Sequence, residues 1–175
     1  ALIDECKKGM ISRGLRGNKE YLDRLKSELR VIRSKDFAEY FLTTKAIIDL
    51  AREQMFVGPG RGSGAGSLVN YVLGITDVDP IKYGLLFERF LSPERKELPD
   101  IDTDVGDRDK LLEILREEFG SENIIPISNY NTFKLKSLVK DISRFYGIEF
   151  KEVNAMLSTL ERDIEYRLRH DGIAL

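Results

Sequence analysis

Apolar positions recur at helical spacing through the first third of the chain. Leu2, Cys6, Met10 and Arg13 mark a helix over 2–13, and Gly14 and Gly17 end it. Tyr21, Leu22, Leu25, Leu29 and Ile32 form an apolar stripe on a second helix over 18–35, with charged residues filling the other positions. From Glu39 to Thr44 the pattern is short and aromatic, with Tyr40, Phe41 and Leu42 in a row, and predicts a strand; 45–54 returns to helix. Leu68-Val69-Asn70-Tyr71-Val72-Leu73 is a short apolar helix closed by Gly74, Asp77 to Pro80 is turn-like, and Leu85 to Leu91 reads as helical.

From Pro99 to Val105 acidic residues alternate with apolar or β-branched ones, a period of two that predicts a strand. Asp107 then caps a helix that runs to Phe119, with Leu111, Leu112 and Leu115 inward and Gly120 as the stop. Ile124 to Ile127, around Pro126, predicts a short edge strand. The chain is mostly helical from Thr132 to its end, with breaks expected near Gly147 and around Ser158-Thr159. The boundary falls near 122–132, giving a mixed α/β domain over 1–125, with a small sheet and flanking helices, and a helical segment over 126–175.

Composition narrows the class. A chain of 175 residues that is 42% hydrophobic can bury a sizeable core. A net charge of -2 argues weakly against a dedicated nucleic-acid-binding domain, unless carboxylates for metals sit beside cations for phosphates. One cysteine, Cys6, and one histidine, His170, exclude an internal disulfide and a zinc site built from Cys and His; both fit a reducing cytoplasm. No apolar run reaches the roughly 20 residues of a membrane span, and the two ends read as cuts through a longer polypeptide.

The chemistry concentrates in two places. Gly58-Pro59-Gly60-Arg61-Gly62-Ser63-Gly64-Ala65-Gly66-Ser67 holds five glycines within nine residues and opens a helix. A backbone without side chains lets a ligand approach N–H groups closely, and Ser63, Ser67 and Arg61 add donors and charge. The natural ligand is a phosphate group. A P-loop needs Gly-Lys-Ser/Thr, which is missing, and Gly60, Gly62 and Ala65 match the dinucleotide fingerprint only loosely. The plain alternative is a flexible surface loop.

Asp100, Asp102 and Asp104 would share one strand face, each about 6–7 Å from the next. Like charges so gathered repel, and a hard cation such as Mg²⁺ removes that cost. The plain alternative is a solvated acidic strand. Together, a phosphate cradle and a divalent-metal strand point to nucleotidyl or phosphoryl transfer.

At this point the residues resemble a family. The run from Val57 to Asp104, VGPGRGSGAGSLVNYVLGITDVDPIKYGLLFERFLSPERKELPDIDTD, resembles the palm of the C-family polymerases, the bacterial DNA polymerase III alpha subunits. Upstream, YFLTTKAIIDLARE is similar to the family's first palm strand and helix; downstream, NTFKLKSLVKDISRFYGI is similar to the start of its thumb. The resemblance implies an α/β palm of the nucleotidyltransferase type over 1–125 and the start of a helical thumb over 126–175. It implies a replicative, DNA-directed DNA polymerase that adds deoxynucleotides to a primer 3′-hydroxyl and releases pyrophosphate.

The family's metal-binding acids fall on Asp102 and Asp104, and Asp100 is the expected structural acid before them. Two Mg²⁺ ions, or Mn²⁺ in their place, would be the cofactors. The triphosphate would lie on Arg61, Gly62, Ser63, Gly66 and Ser67, and duplex DNA on Lys134, Lys136, Lys140 and Arg144. Implied partners are primer–template DNA, deoxynucleoside triphosphates, and a sliding clamp with other replication proteins bound through parts outside this chain.

Two departures stand out: Val105 replaces the usual Phe after the last aspartate, and the family's third catalytic aspartate has no counterpart before Leu175. The isolated chain is therefore expected to show little or no polymerase activity. The rival functions are a non-templated small-molecule nucleotidyltransferase on the same palm and a non-catalytic interaction domain.

Overall fold

The first helix, α1 (Leu2–Ser12), turns Leu2, Cys6 and Met10 inward, as their spacing requires. The computed structural model describes residues 1–94, 97–130, 132 and 134–170. Helix α2 (Lys19–Ser34) starts where the Asn18 side chain accepts the Glu20 amide, and buries Leu25, Glu28 and Ile32. Helix α3 (Ala38–Gln54) buries Phe41, Ile48 and Ala51. A 3₁₀ turn (Gly62–Gly66) leads into α4 (Leu68–Leu73), which ends at left-handed Gly74. A second 3₁₀ turn covers Phe87–Arg89, and α5 (Arg108–Phe119) is capped by Asp107 through the Lys110 amide.

These elements form one compact unit, Ala1–Ile125. Its core is the short apolar helix α4, with Leu68, Val69, Val72 and Leu73 buried against α1 and α2. Phe41 of α3 meets Phe90 edge to face at 6.1 Å, and Phe90 meets Phe87 at 6.2 Å. Each such side chain contributes roughly 1.5–3 kcal/mol through burial. Arg13 stacks 4.1 Å above the Tyr71 ring and pairs with Asp77, which also holds Arg52, so the turn after α4 is tied to α1 and α3.

The second unit, Pro126–Leu175, contains α6 (Leu135–Phe145) and α7 (Phe150–His170), joined through left-handed Gly147. Val153 and Leu157 are buried between them, while Phe145, Tyr146 and Phe150 are exposed.

The expected mixed sheet is overturned. Among the described residues there is no β-strand, and the architecture is helical, with two isolated antiparallel bridges, Val57 to Val105 and Arg61 to Asp102. Residues 39–44 lie inside α3, because Phe41, Ile48 and Ala51 continue one helical face; a short aromatic run does not by itself separate helix from strand. Segment 99–105 is extended without a ladder, and 124–127, half-buried at Ile124 and exposed beyond it, has no strand pairing. The helix expected over 85–91 shrinks to the 3₁₀ turn at Phe87–Arg89.

The break expected at Ser158-Thr159 is bridged by α7. Both hydroxyls donate back to carbonyls one turn earlier, those of Asn154 and Ala155. The last part of the helical expectation, 171–175, lies outside the described residues.

Candidate nucleotide and metal site

Extended segments bring the two motifs together. Gly58 N donates to Asp104 O at 2.8 Å and Gly106 N to Phe56 O at 2.9 Å, so 56–61 runs antiparallel to 102–106. Between the bridges three residues on the glycine side, Gly58, Pro59 and Gly60, face two on the acidic side, Thr103 and Asp104, a bulge of one residue. Pro59 can lie there because it has no N–H to place in a ladder.

Across this seam the side chains meet. Arg61 Nε stands 3.3 Å from Asp104 Oδ1, and Arg61 Nη2 stands 3.8 Å from Asp102 Oδ1. Gly62 has φ 64°, and a Cβ there would lie 2.6 Å from Asp102 Oδ2. Arg61, Gly62, Asp102 and Asp104 are therefore one cluster. Asp102 and Asp104 are 47% and 71% exposed and Arg61 60%, so water or a ligand reaches all three.

Ser63 is exposed beside the cluster. It lines a cleft of about 500 Å³ with Gly62, Gly66, Gly84, Leu85, Leu86 and Arg89. Arg89 escaped the sequence reading, yet its setting was legible: Phe87 and Phe90 are buried on either side, which turns Glu88 and Arg89 outward.

Ser67 has a different job from the one expected. It is fully buried; its hydroxyl donates to Glu28 Oε2 at 3.0 Å and accepts the Asn70 amide at 3.2 Å, capping α4. The Leu68 and Val69 amides donate to Glu28 at 2.9 and 3.0 Å. The anion at the start of α4 is thus an internal carboxylate. Glu28 also receives Arg24 Nε at 2.6 Å. Burial pushes the Glu28 carboxyl up from its ordinary value, while the Val69 and Leu68 amides and Arg24 pull it down. The signal for Glu28 was its place on the wheel, three residues after Leu25 and four before Ile32.

Tyr40 supports the acidic segment by donating its hydroxyl to the Pro99 carbonyl. Burial pushes its phenol up, with the charge of Asp100 adding to the shift.

In the second unit, Lys136, Lys140 and Arg144 follow one another at four-residue steps on one face of α6, and Lys134 stands just before its first residue without a side-chain capping hydrogen bond. Lys140 Nζ lies 5.2 Å from the Phe150 ring centre, and Lys140 and Arg144 line a cavity of about 200 Å³ with Ser143 and Val153.

Among the described residues no three His, Cys, Asp or Glu side chains converge. The donors present are two exposed carboxylates, Asp102 and Asp104, beside a glycine-lined turn. Hard oxygens in this number suit Mg²⁺, which commonly takes one or two carboxylates and completes its shell with water and substrate phosphate.

A solvent-open carboxylate pair is thus packed against a glycine turn, with a cleft that Arg89 lines beside it. Residues 1–172 match the family described as the bacterial DNA polymerase III alpha NTPase domain, and the chain belongs to it. It is 45% identical over 151 residues to DNA polymerase III subunit alpha of Ureaplasma parvum serovar 3, covering 85% of this chain and 16% of that protein. It is 46% identical over 156 residues to the Aquifex aeolicus subunit, covering 85% and 13%. With the Bacillus subtilis subunit the identity is 44% over 158 residues, covering 89% and 14%. The chain thus spans a small part of the length of these relatives. No described helix is long and apolar enough to cross a membrane.

Proposed function

We propose that this chain supplies part of the polymerising centre of a replicative, DNA-directed DNA polymerase, with 1–125 acting as the nucleotide-binding part of the palm and 126–175 as the start of the thumb. The observation that carries the reading is the contact of the Asp102 carboxylate with Gly62, which joins the acidic segment to the glycine turn.

Asp102 and Asp104 would hold the divalent ions. The chemistry such ions supply is activation of an attacking hydroxyl and neutralisation of charge at the leaving phosphates. Ser63 offers a hydroxyl, and Arg89 a guanidinium, to the phosphates of a deoxynucleoside triphosphate in the adjoining cleft. Arg61 is held by ion pairs and is largely exposed, so it can exchange a carboxylate for a phosphate. Ser67 and Gly66 are buried and serve by shaping the turn. Lys134, Lys136, Lys140 and Arg144 would make sequence-independent, salt-sensitive contacts with primer–template DNA. A sliding clamp and other replication proteins would bind through other parts of the polymerase.

Primer extension by the full-length protein tests this. Asp102→Asn and Asp104→Asn should each lower template-dependent incorporation about a hundredfold or more, equivalent to several kcal/mol of charge stabilisation. Unchanged incorporation in both variants, or nucleotide transfer independent of template, overturns the reading.

A further inference from the structure

One guanidinium ties both walls of the cleft to α2. Arg24 Nη2 donates to the Gly66 carbonyl at 2.9 Å and to the Leu85 carbonyl at 3.0 Å. Gly66 closes the 3₁₀ turn on one wall, and Leu85 belongs to the opposite wall. The walls touch directly at that level, since a Cβ on Gly66 would lie 2.8 Å from the Leu86 carbonyl oxygen. Arg24 is held in turn: its Nε donates to Glu28, whose two oxygens also take the Ser67 hydroxyl and the Leu68 and Val69 amides.

The pair therefore fixes the end of the glycine turn, the start of α4 and the facing 84–86 segment from a single helix. Neither Arg24 nor Glu28 lines the cleft. Only a planar fork reaches one carboxylate and two carbonyls in fixed directions; a lysine is a point charge on a flexible stem.

We propose that Arg24, held by Glu28, is a positioning residue that sets the spacing of the nucleotide cleft and thereby its affinity for the triphosphate. This rests on the reading of that cleft as the triphosphate site. The carbonyls of Gly66 and Leu85 transmit the constraint to Ser63 and Arg89.

Steady-state kinetics of the full-length protein test it, with Arg24→Lys beside Arg89→Ala and a core control on the same helix, Ile32→Val. Arg24→Lys should raise KM for deoxynucleoside triphosphate about tenfold, the loss of one charged hydrogen bond's worth of order. Its kcat and its KM for primer–template should stay within about twofold. Glu28→Gln, which keeps the shape but not the charge, should raise the nucleotide KM in the same direction. Ile32→Val should lower Tm and leave that KM alone.

If Arg89→Ala raises the nucleotide KM while Arg24→Lys lowers only Tm, Arg24 merely supports the fold and the proposal is overturned. An equal KM rise in Ile32→Val overturns it too. If Arg89→Ala also leaves the KM unchanged, the cleft is not the triphosphate site, and the proposal falls together with the reading beneath it.

Discussion

The backbone of Gly9 in α1 faces the Val72 carbonyl of α4 so closely that a Cβ at Gly9 would stand 1.8 Å from that oxygen. The two helices approach at a distance only a residue without a side chain permits. Because α4 opens at the glycine turn, this contact helps to fix the candidate site from below.

Gly9→Ala should therefore destabilise the protein, although alanine is the better helix former. Forcing α1 and α4 apart should cost about 1–3 kcal/mol or more. Urea denaturation checks this: a midpoint equal to or above the parent's would show that the helices have room to spare.

Cys6 should be inert while the protein is folded. It is fully buried, and burial pushes its thiol up to about 12, with the charge of Glu28 adding to the shift. A thiol-specific reagent at pH 8 should label it only after denaturant is added. The sign for stability follows from linkage. The folded state keeps a proton that the unfolded chain releases near pH 9, so stability should fall as pH rises from 9 towards 12. Rapid labelling of the native protein would contradict the packing of α1.

Tyr21 offers a second titration. Its hydroxyl donates to Asp79 Oδ2 at 2.6 Å, and that bond pushes the phenol up to about 12, with burial adding to it. Tyr21 and Tyr40 should both ionise late in a spectrophotometric titration, and Tyr21→Phe should remove the Tyr21 share of the late component. The loss in stability should be about 0.5–1 kcal/mol because the pair is partly solvated. That contribution is complete below pH 10 and disappears as pH climbs towards 12.

Gly62→Ala should weaken divalent-ion binding without removing any ligand. The added methyl meets Asp102 Oδ2, and a φ of 64° costs an L residue about 1–2 kcal/mol. Mn²⁺ titration followed by electron paramagnetic resonance on the full-length protein should show a weaker site. Unaltered affinity would separate the glycine turn from the carboxylates.

The site was more legible than the fold. Glycines at 58, 60 and 62 and aspartates at 102 and 104 announce themselves by chemistry, which needs no knowledge of their neighbours. Glu28 did not, because charge on a helix reads as solvent-facing until its position between Leu25 and Ile32 is weighed. Ser67 looked like a phosphate ligand because a cap and a ligand place the same hydroxyl at the same helix start. The strand expected at 39–44 failed for a different reason: three adjacent aromatic and aliphatic residues fit either period, and the helical face became visible only with Ile48 and Ala51 included. Period two at 99–105 did mark extended backbone, but pairing depends on a partner, and 56–61 supplies only isolated rungs because of its bulge.

Those sparse rungs leave the acidic segment less tightly fastened than the helices around it. Amide protons along 101–105 should exchange with deuterated solvent well before those of α4, since few backbone bonds must open to release them. Two carboxylates carried on such a stretch can alter their separation as a charged guest arrives, and the rigid interior need not rearrange. The acidic segment is thereby compliant, while the helices that carry it are stiff.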